Sequence, residues 1–124
     1  MNGRFLILTA VFVGATALPG NAADLVQIRI NGHFFAEPAT VQLRVSVEPD
    51  LANRTLRIEA DGDRLFRSTE VNLDGISEKR LHVVEFKNLP AGAYEVRAEV
   101  LSADTVRGTA TRELMVLGAG DSQR

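Results

Sequence analysis

The run Phe86-Lys87-Asn88-Leu89-Pro90-Ala91-Gly92-Ala93-Tyr94-Glu95-Val96 constrains this chain more than any other stretch: strand, tight corner, strand. Leu89 enters the core as the first strand ends. Pro90 fixes φ and has no N–H with which to extend a ladder, and Gly92 accepts a positive φ that a residue with a Cβ resists. The chain must turn there. Beyond the turn, Tyr94, Val96, Ala98 and Val100 alternate with Glu95, Arg97 and Glu99, which places the tyrosine at the head of an apolar face. A ring buried at that position leaves its hydroxyl to find a partner, and the corner's own backbone a few residues earlier is the nearest.

The same period of two recurs along the chain. Val26, Ile28 and Ile30 alternate with Gln27 and Arg29 up to Asn31-Gly32, a strong turn signal. Phe34 and Phe35 follow, then a break at Glu37-Pro38-Ala39. Val41, Leu43, Val45 and Val47 against Gln42, Arg44, Ser46 and Glu48 is the cleanest alternation, closed by Pro49-Asp50. Leu56, Ile58 and Ala60 form a further strand ending at Asp61-Gly62-Asp63. Leu65, Val71 and Leu73 share the inward parity of the next, which turns Phe66 outward. In Arg80–Lys87 the apolar residues fall on both parities, Leu81 and Val83 against Val84 and Phe86, so the reading is burial on both faces or a bulge at Val83-Val84. Ala110, Leu114 and Val116 mark the last strand.

These segments make seven strands. No twelve-residue stretch after the amino-terminal run carries an i, i+3, i+4, i+7 apolar stripe, so a parallel sheet with crossover helices is excluded. The expectation is an all-β, seven-stranded antiparallel sandwich over residues 23–118. Leu89, Pro90, Gly92 and Tyr94 carry a resemblance to the bacterial immunoglobulin-like and fibronectin type III-like domains, in which such a tyrosine corner recurs. That resemblance implies an immunoglobulin-like β-sandwich.

The amino terminus carries a different signal. One positive charge at Arg4, an apolar run from Phe5 to Leu18, and the small residues of Pro19-Gly20-Asn21-Ala22-Ala23 have the order of a secretory signal peptide. The run is shorter than the ~20 residues that span a bilayer. Cleavage after Ala22 or Ala23 fits, and Ala22 is preferred because Gly20 then occupies position −3. The expected organisation is therefore a signal peptide over 1–22, the sandwich, and a flexible tail over 119–124, in a protein exported to the periplasm or beyond. Loss of Arg4 leaves 13 of the 14 basic side chains against 16 acidic ones. This mildly acidic, interleaved balance argues against nucleic acid and anionic membrane as partners. With no cysteine the core receives no help from disulfides.

Chemistry-bearing constellations are sparse. His33 and His82 are the two histidines, and without cysteine a zinc site would need both together with carboxylates from distant strands. Asp61-Gly62-Asp63, with Glu59 nearby, presents oxygen ligands for a weak cation site, yet lacks the acidic spacing of a dedicated calcium loop and reads first as a hairpin turn. No serine stands in a Gly-x-Ser-x-Gly setting, and one tyrosine with no tryptophan does not line a saccharide cleft. The sequence thus leads to no enzyme, no cofactor and no metal, and to an exported, non-catalytic binding or interaction module of the bacterial cell envelope. Its partner would be another envelope protein or a surface polymer. The alternative is a structural pilus-like or fibre subunit that assembles by β-strand addition. Phe66, with whichever of Phe34 and Phe35 faces outward, is the expected partner contact, provided the two meet in one aromatic patch.

Overall fold

A computed structural model describes residues 25–118. The signal peptide expected over 1–22 and the tail over 119–124 lie outside the described residues. The strands are β1 (Val26–Ile30), β2 (Phe34–Ala36), β3 (Ala39–Val47), β4 (Thr55–Gly62), β5 (Phe66–Asn72), β6 (Leu81–Leu89), β7 (Gly92–Leu101) and β8 (Val106–Leu117), with a single 3-10 turn at Gly75–Ser77. One sheet has three strands in the order β1-β3-β6, and the other has five in the order β2-β8-β7-β4-β5. The chain crosses between sheets at β1–β2, β2–β3, β3–β4, β5–β6 and β6–β7. This is an immunoglobulin-like β-sandwich.

The count of described strands is eight, not seven, and the sheets are not wholly antiparallel. The added strand is β2, which pairs parallel to β8 through Phe34↔Met115, Phe35↔Val116 and Ala36↔Leu117. Three residues are too few to show a period, and a parallel partner some eighty positions away leaves no trace in local spacing.

Alternation becomes burial. Val41, Leu43, Val45 and Val47 of β3 face Leu56, Ile58 and Ala60 of β4 and Val96, Ala98 and Val100 of β7, all nearly inaccessible to water. Removing this apolar area from water is the main favourable term in folding a domain that has no crosslinks.

Strand β6 departs from expectation. It pairs with β3 in unbroken register from Ser46↔Leu81 to Val41↔Phe86, with no bulge at Val83-Val84. The irregularity lies between Ala39 and Val41, where Thr40 stands against Lys87 and Asn88, and Asn88 takes φ 60°. His82 occupies the inward slot beside Val84 and Phe86, so Leu81 and Val83 are exposed rather than buried on a second face.

His82 is 4% exposed, and its Nε2 has no hydrogen-bond partner among the described residues. Burial pushes its pKa below the ordinary value, and Lys79 acts in the same direction. Glu78 and the Lys79 backbone oppose them. Because the unfolded chain binds the proton more readily than the folded one, stability is complete above about pH 6.5 and falls as pH drops through that value. His82→Leu is expected to remove this share of the pH dependence between about pH 7 and 5.5. Parallel denaturation curves across that window for both proteins would show that His82 is not its source.

The corner forms as its residues dictate. Gly92 has φ 148°, Leu89 is 1% exposed, and the Tyr94 hydroxyl donates to the Pro90 carbonyl at 2.7 Å. Burial pushes the Tyr94 phenol above its usual pKa.

Candidate functional site

The outer face of the five-stranded sheet is a grid whose columns are strands and whose rows are set by register. The first row is Glu70-Arg57-Glu99, where Arg57 reaches both carboxylates at 3.2 Å. Next come Ser68, Glu59 and Arg97, with Arg97 bound to Glu59 at 3.5 Å and to Glu95 of the following row at 2.8 Å. In these two rows every charged side chain stands beside one of opposite sign.

The third row breaks the alternation. Phe66 pairs with Asp61, Asp61 with Glu95, and Glu95 with Glu113, so three carboxylates stand side by side on β4, β7 and β8. Among the described residues the one ion pair in this row is that of Glu95 with Arg97, which is shared with Glu59. Among the described residues neither Asp61 nor Glu113 has an ion pair. Like charges directly opposite one another on paired strands destabilise a sheet. Beyond this row, Ala93, Met115 and Phe34 close the end of the face with an apolar shelf on which Phe34 is 71% exposed and Met115 37%.

Carboxylate row and shelf enclose an open cleft of about 460 Å³, with His33 on its rim and Tyr94 and Leu114 in its floor. Chemically it presents concentrated negative charge beside an aromatic ring and a thioether. Asp61, Glu95 and Glu113 are spread along three strands, and among the described residues no group of three or more His, Cys, Asp and Glu side chains is placed to hold a metal ion.

The residues singled out from sequence fall into three sets. Leu89, Pro90, Gly92 and Tyr94 form the corner. Phe34 and Phe66 both face outward, but they occupy β2 and β5, opposite edges of the sheet. Four strand spacings, roughly 19 Å, separate them, so the single aromatic patch does not form. Phe35 turns inward beside Val116 and packs against the core. His33 rims the cleft while His82 lies inside the other sheet. Asp61 belongs to the carboxylate row, whereas Asp63 is in the β4–β5 turn. Glu95, Glu113 and Met115 escaped sequence reading because each is an ordinary outward residue of its own strand. The odd Met115 among outward polar positions of β8 was the one local sign.

No protein-family model matches the chain, and no curated protein matches it. Among solved structures it is similar to two variants of the superoxide reductase (neelaredoxin) from Ignicoccus hospitalis. One has a TM-score of 0.56 at 17% identity and covers 78% of this chain and 85% of that chain; for the other the values are 0.53, 17%, 73% and 80%. A CARDB domain from Pyrococcus furiosus, in complex with di-metal ions, has a TM-score of 0.48 at 16% identity, with 74% and 85% covered. At such identities the likeness concerns the fold.

These neighbours correct the functional expectation. The inference to a non-catalytic envelope module, or alternatively to a pilus-like subunit, rested on analogy with sandwich domains, and the two similar structures named above with TM-scores over 0.5 are superoxide reductases. The sandwich therefore does not carry that inference. Nor do the residues present fit a transferred redox centre, since His33 lies in the β1–β2 connection, His82 faces inward from β6, and there is no cysteine.

Proposed function

We propose that this chain binds a small organic cation with an apolar portion, in the cleft between the carboxylate row and the Phe34–Met115 shelf. The observation that carries the reading is the register Asp61-Glu95-Glu113, three adjacent carboxylates of which, among the described residues, only Glu95 is ion-paired, to Arg97. A bound ammonium or guanidinium group relieves their repulsion, while an alkyl or aryl stem lies against Met115 and the exposed ring of Phe34. The cleft's volume of about 460 Å³ falls in the range of small-molecule sites. Export is part of the proposal, supported by the order of charge, apolar run and small residues over 1–22. So is the finer placement among bacterial immunoglobulin-like and fibronectin type III-like domains, which rests on the Leu89–Tyr94 corner.

Calorimetric titration with hexyltrimethylammonium and, in parallel, hexanoate tests the site. The cation is expected to bind and the anion not. Asp61→Asn and Glu113→Gln should each weaken binding about fivefold to tenfold, with the effect screened by added salt. Phe34→Ser should weaken it without changing the salt dependence. Equal binding of hexanoate, or affinity unmoved by the two carboxamide variants, would overturn the reading.

A further inference from the structure

The opposite face of the molecule carries the complementary feature. On the outer side of the three-stranded sheet, Arg29 of β1 stands directly across from Arg44 of β3. Paired residues on antiparallel strands have Cα atoms about 4.5–5.5 Å apart, so two guanidinium groups are rooted side by side. Neither has a carboxylate within ion-pairing distance among the described residues, although Arg57, Arg80, Arg97 and Arg107 all do. The carboxylates nearest in sequence and register are engaged elsewhere: Glu48 holds Arg80 at 2.6 Å, and Glu85, diagonal to Arg44 across β6, holds Lys87 at 3.9 Å.

The two arginines do not project from a flat surface. With Ile30, Asn31 and Gln42 they line a cleft of about 370 Å³. Asn31, in the turn closed by the Gly32 N–H on the Ile30 carbonyl, and Gln42 of β3 line the same cleft, so two side-chain amides join the two guanidiniums there. Amide and guanidinium N–H groups all donate, and their common complement is an oxygen-bearing anion. Across the same row from Arg44, Val83 is 53% exposed and contributes no competing charge.

We propose that the Arg29–Arg44 cleft is a binding site for an oxyanion, the phosphate or carboxylate group of a small ligand, gripped between the two guanidiniums with Asn31 and Gln42 donating to its remaining oxygens. The site is independent of the carboxylate cleft, which lies on the other sheet. Like charge held in register costs stability in the empty protein, and an anion bound between the two arginines turns that repulsion into attraction.

The test is a ¹⁵N-correlated NMR titration of the intact protein with inorganic phosphate and, separately, with glucuronate, at constant low ionic strength maintained with chloride. Saturable shifts confined to residues 29–31 and 42–44 are expected, with Arg29→Gln and Arg44→Gln each weakening binding at least about tenfold and Arg64→Gln leaving it unchanged. Tighter binding of phosphate assigns a phosphoryl ligand, and tighter binding of glucuronate a carboxylate one. Either supports the site. Arg44→Gln should also raise Tm at low salt in the absence of anion and lose that advantage when saturating anion is added to both proteins. Shifts spread evenly over the arginines, including Arg57 and Arg64, or binding that survives both glutamine variants, would overturn the proposal.

Discussion

Gly62→Ala is expected to destabilise the domain by roughly 3 kcal/mol. Gly62 ends β4 on its inward parity and lies directly opposite Tyr94 of β7. A Cβ there would stand 2.5 Å from Cε2 and 2.6 Å from Cδ2 of the tyrosine ring, well inside contact distance. The ring has no room to retreat, because it is 3% exposed and its hydroxyl is tied to the Pro90 carbonyl at 2.7 Å. Relief therefore means overpacking the core, breaking that hydrogen bond, or both. Tyr94→Phe keeps the ring and removes only the hydroxyl, at a cost of about 1–1.5 kcal/mol. In a Tyr94→Leu background, where the ring is gone, most of the Gly62→Ala penalty should vanish. Denaturant titration of the four proteins measures the coupling. Additive effects, or a Gly62→Ala midpoint equal to the parent's, would show that the glycine is not the seat of the ring.

Asn53→Ala is expected to cost roughly 2–3 kcal/mol. Asn53 is 1% exposed in the β3–β4 connection. Its Nδ2 donates to the Glu48 carbonyl at 2.9 Å, and its Oδ1 accepts from Arg107 Nη1 of β8 at 2.6 Å. Arg107 also lies 3.6 Å from Asp50, whose carboxylate accepts from the Ala52 N–H at 2.8 Å. One buried amide thus closes the loop on itself and ties it to the opposite edge of the sandwich. Alanine strands a buried carbonyl and removes a charge-assisted acceptor. For a domain of this size the loss corresponds to a drop in Tm of about 10–20 °C. Asn53→Asp should cost less, because it preserves the acceptor for Arg107. If alanine and aspartate melt together with the parent, the amide does not organise the loop.

Both residues are instructive about what was legible beforehand. Gly62 read as part of an Asp-Gly-Asp turn, and its composition supported that; its place beneath the tyrosine depends on β4 pairing with β7 in one particular register. Asn53 sat in an unremarked polar connection. No spacing rule announces that a loop amide will meet an arginine 54 positions later.

The sequence by itself determined which side of each long strand faces the core, because a strand alternates its side chains strictly and a buried face must be apolar: β3 and β7 could be assigned from a dozen residues. It determined the corner as well, since Pro90, Gly92 and Tyr94 act within six residues of one another. Tertiary structure alone decided who stands beside whom. The parallel seat of β2 on β8, the separation of Phe34 from Phe66 across the whole sheet, the carboxylate row and the paired arginines are all products of register between segments far apart in the chain. A strand's period reports the direction of its side chains; it holds no record of its neighbour. Whether Glu95 meets a lysine or another glutamate is settled only when the strands are laid together, and there the positions with functional interest arise.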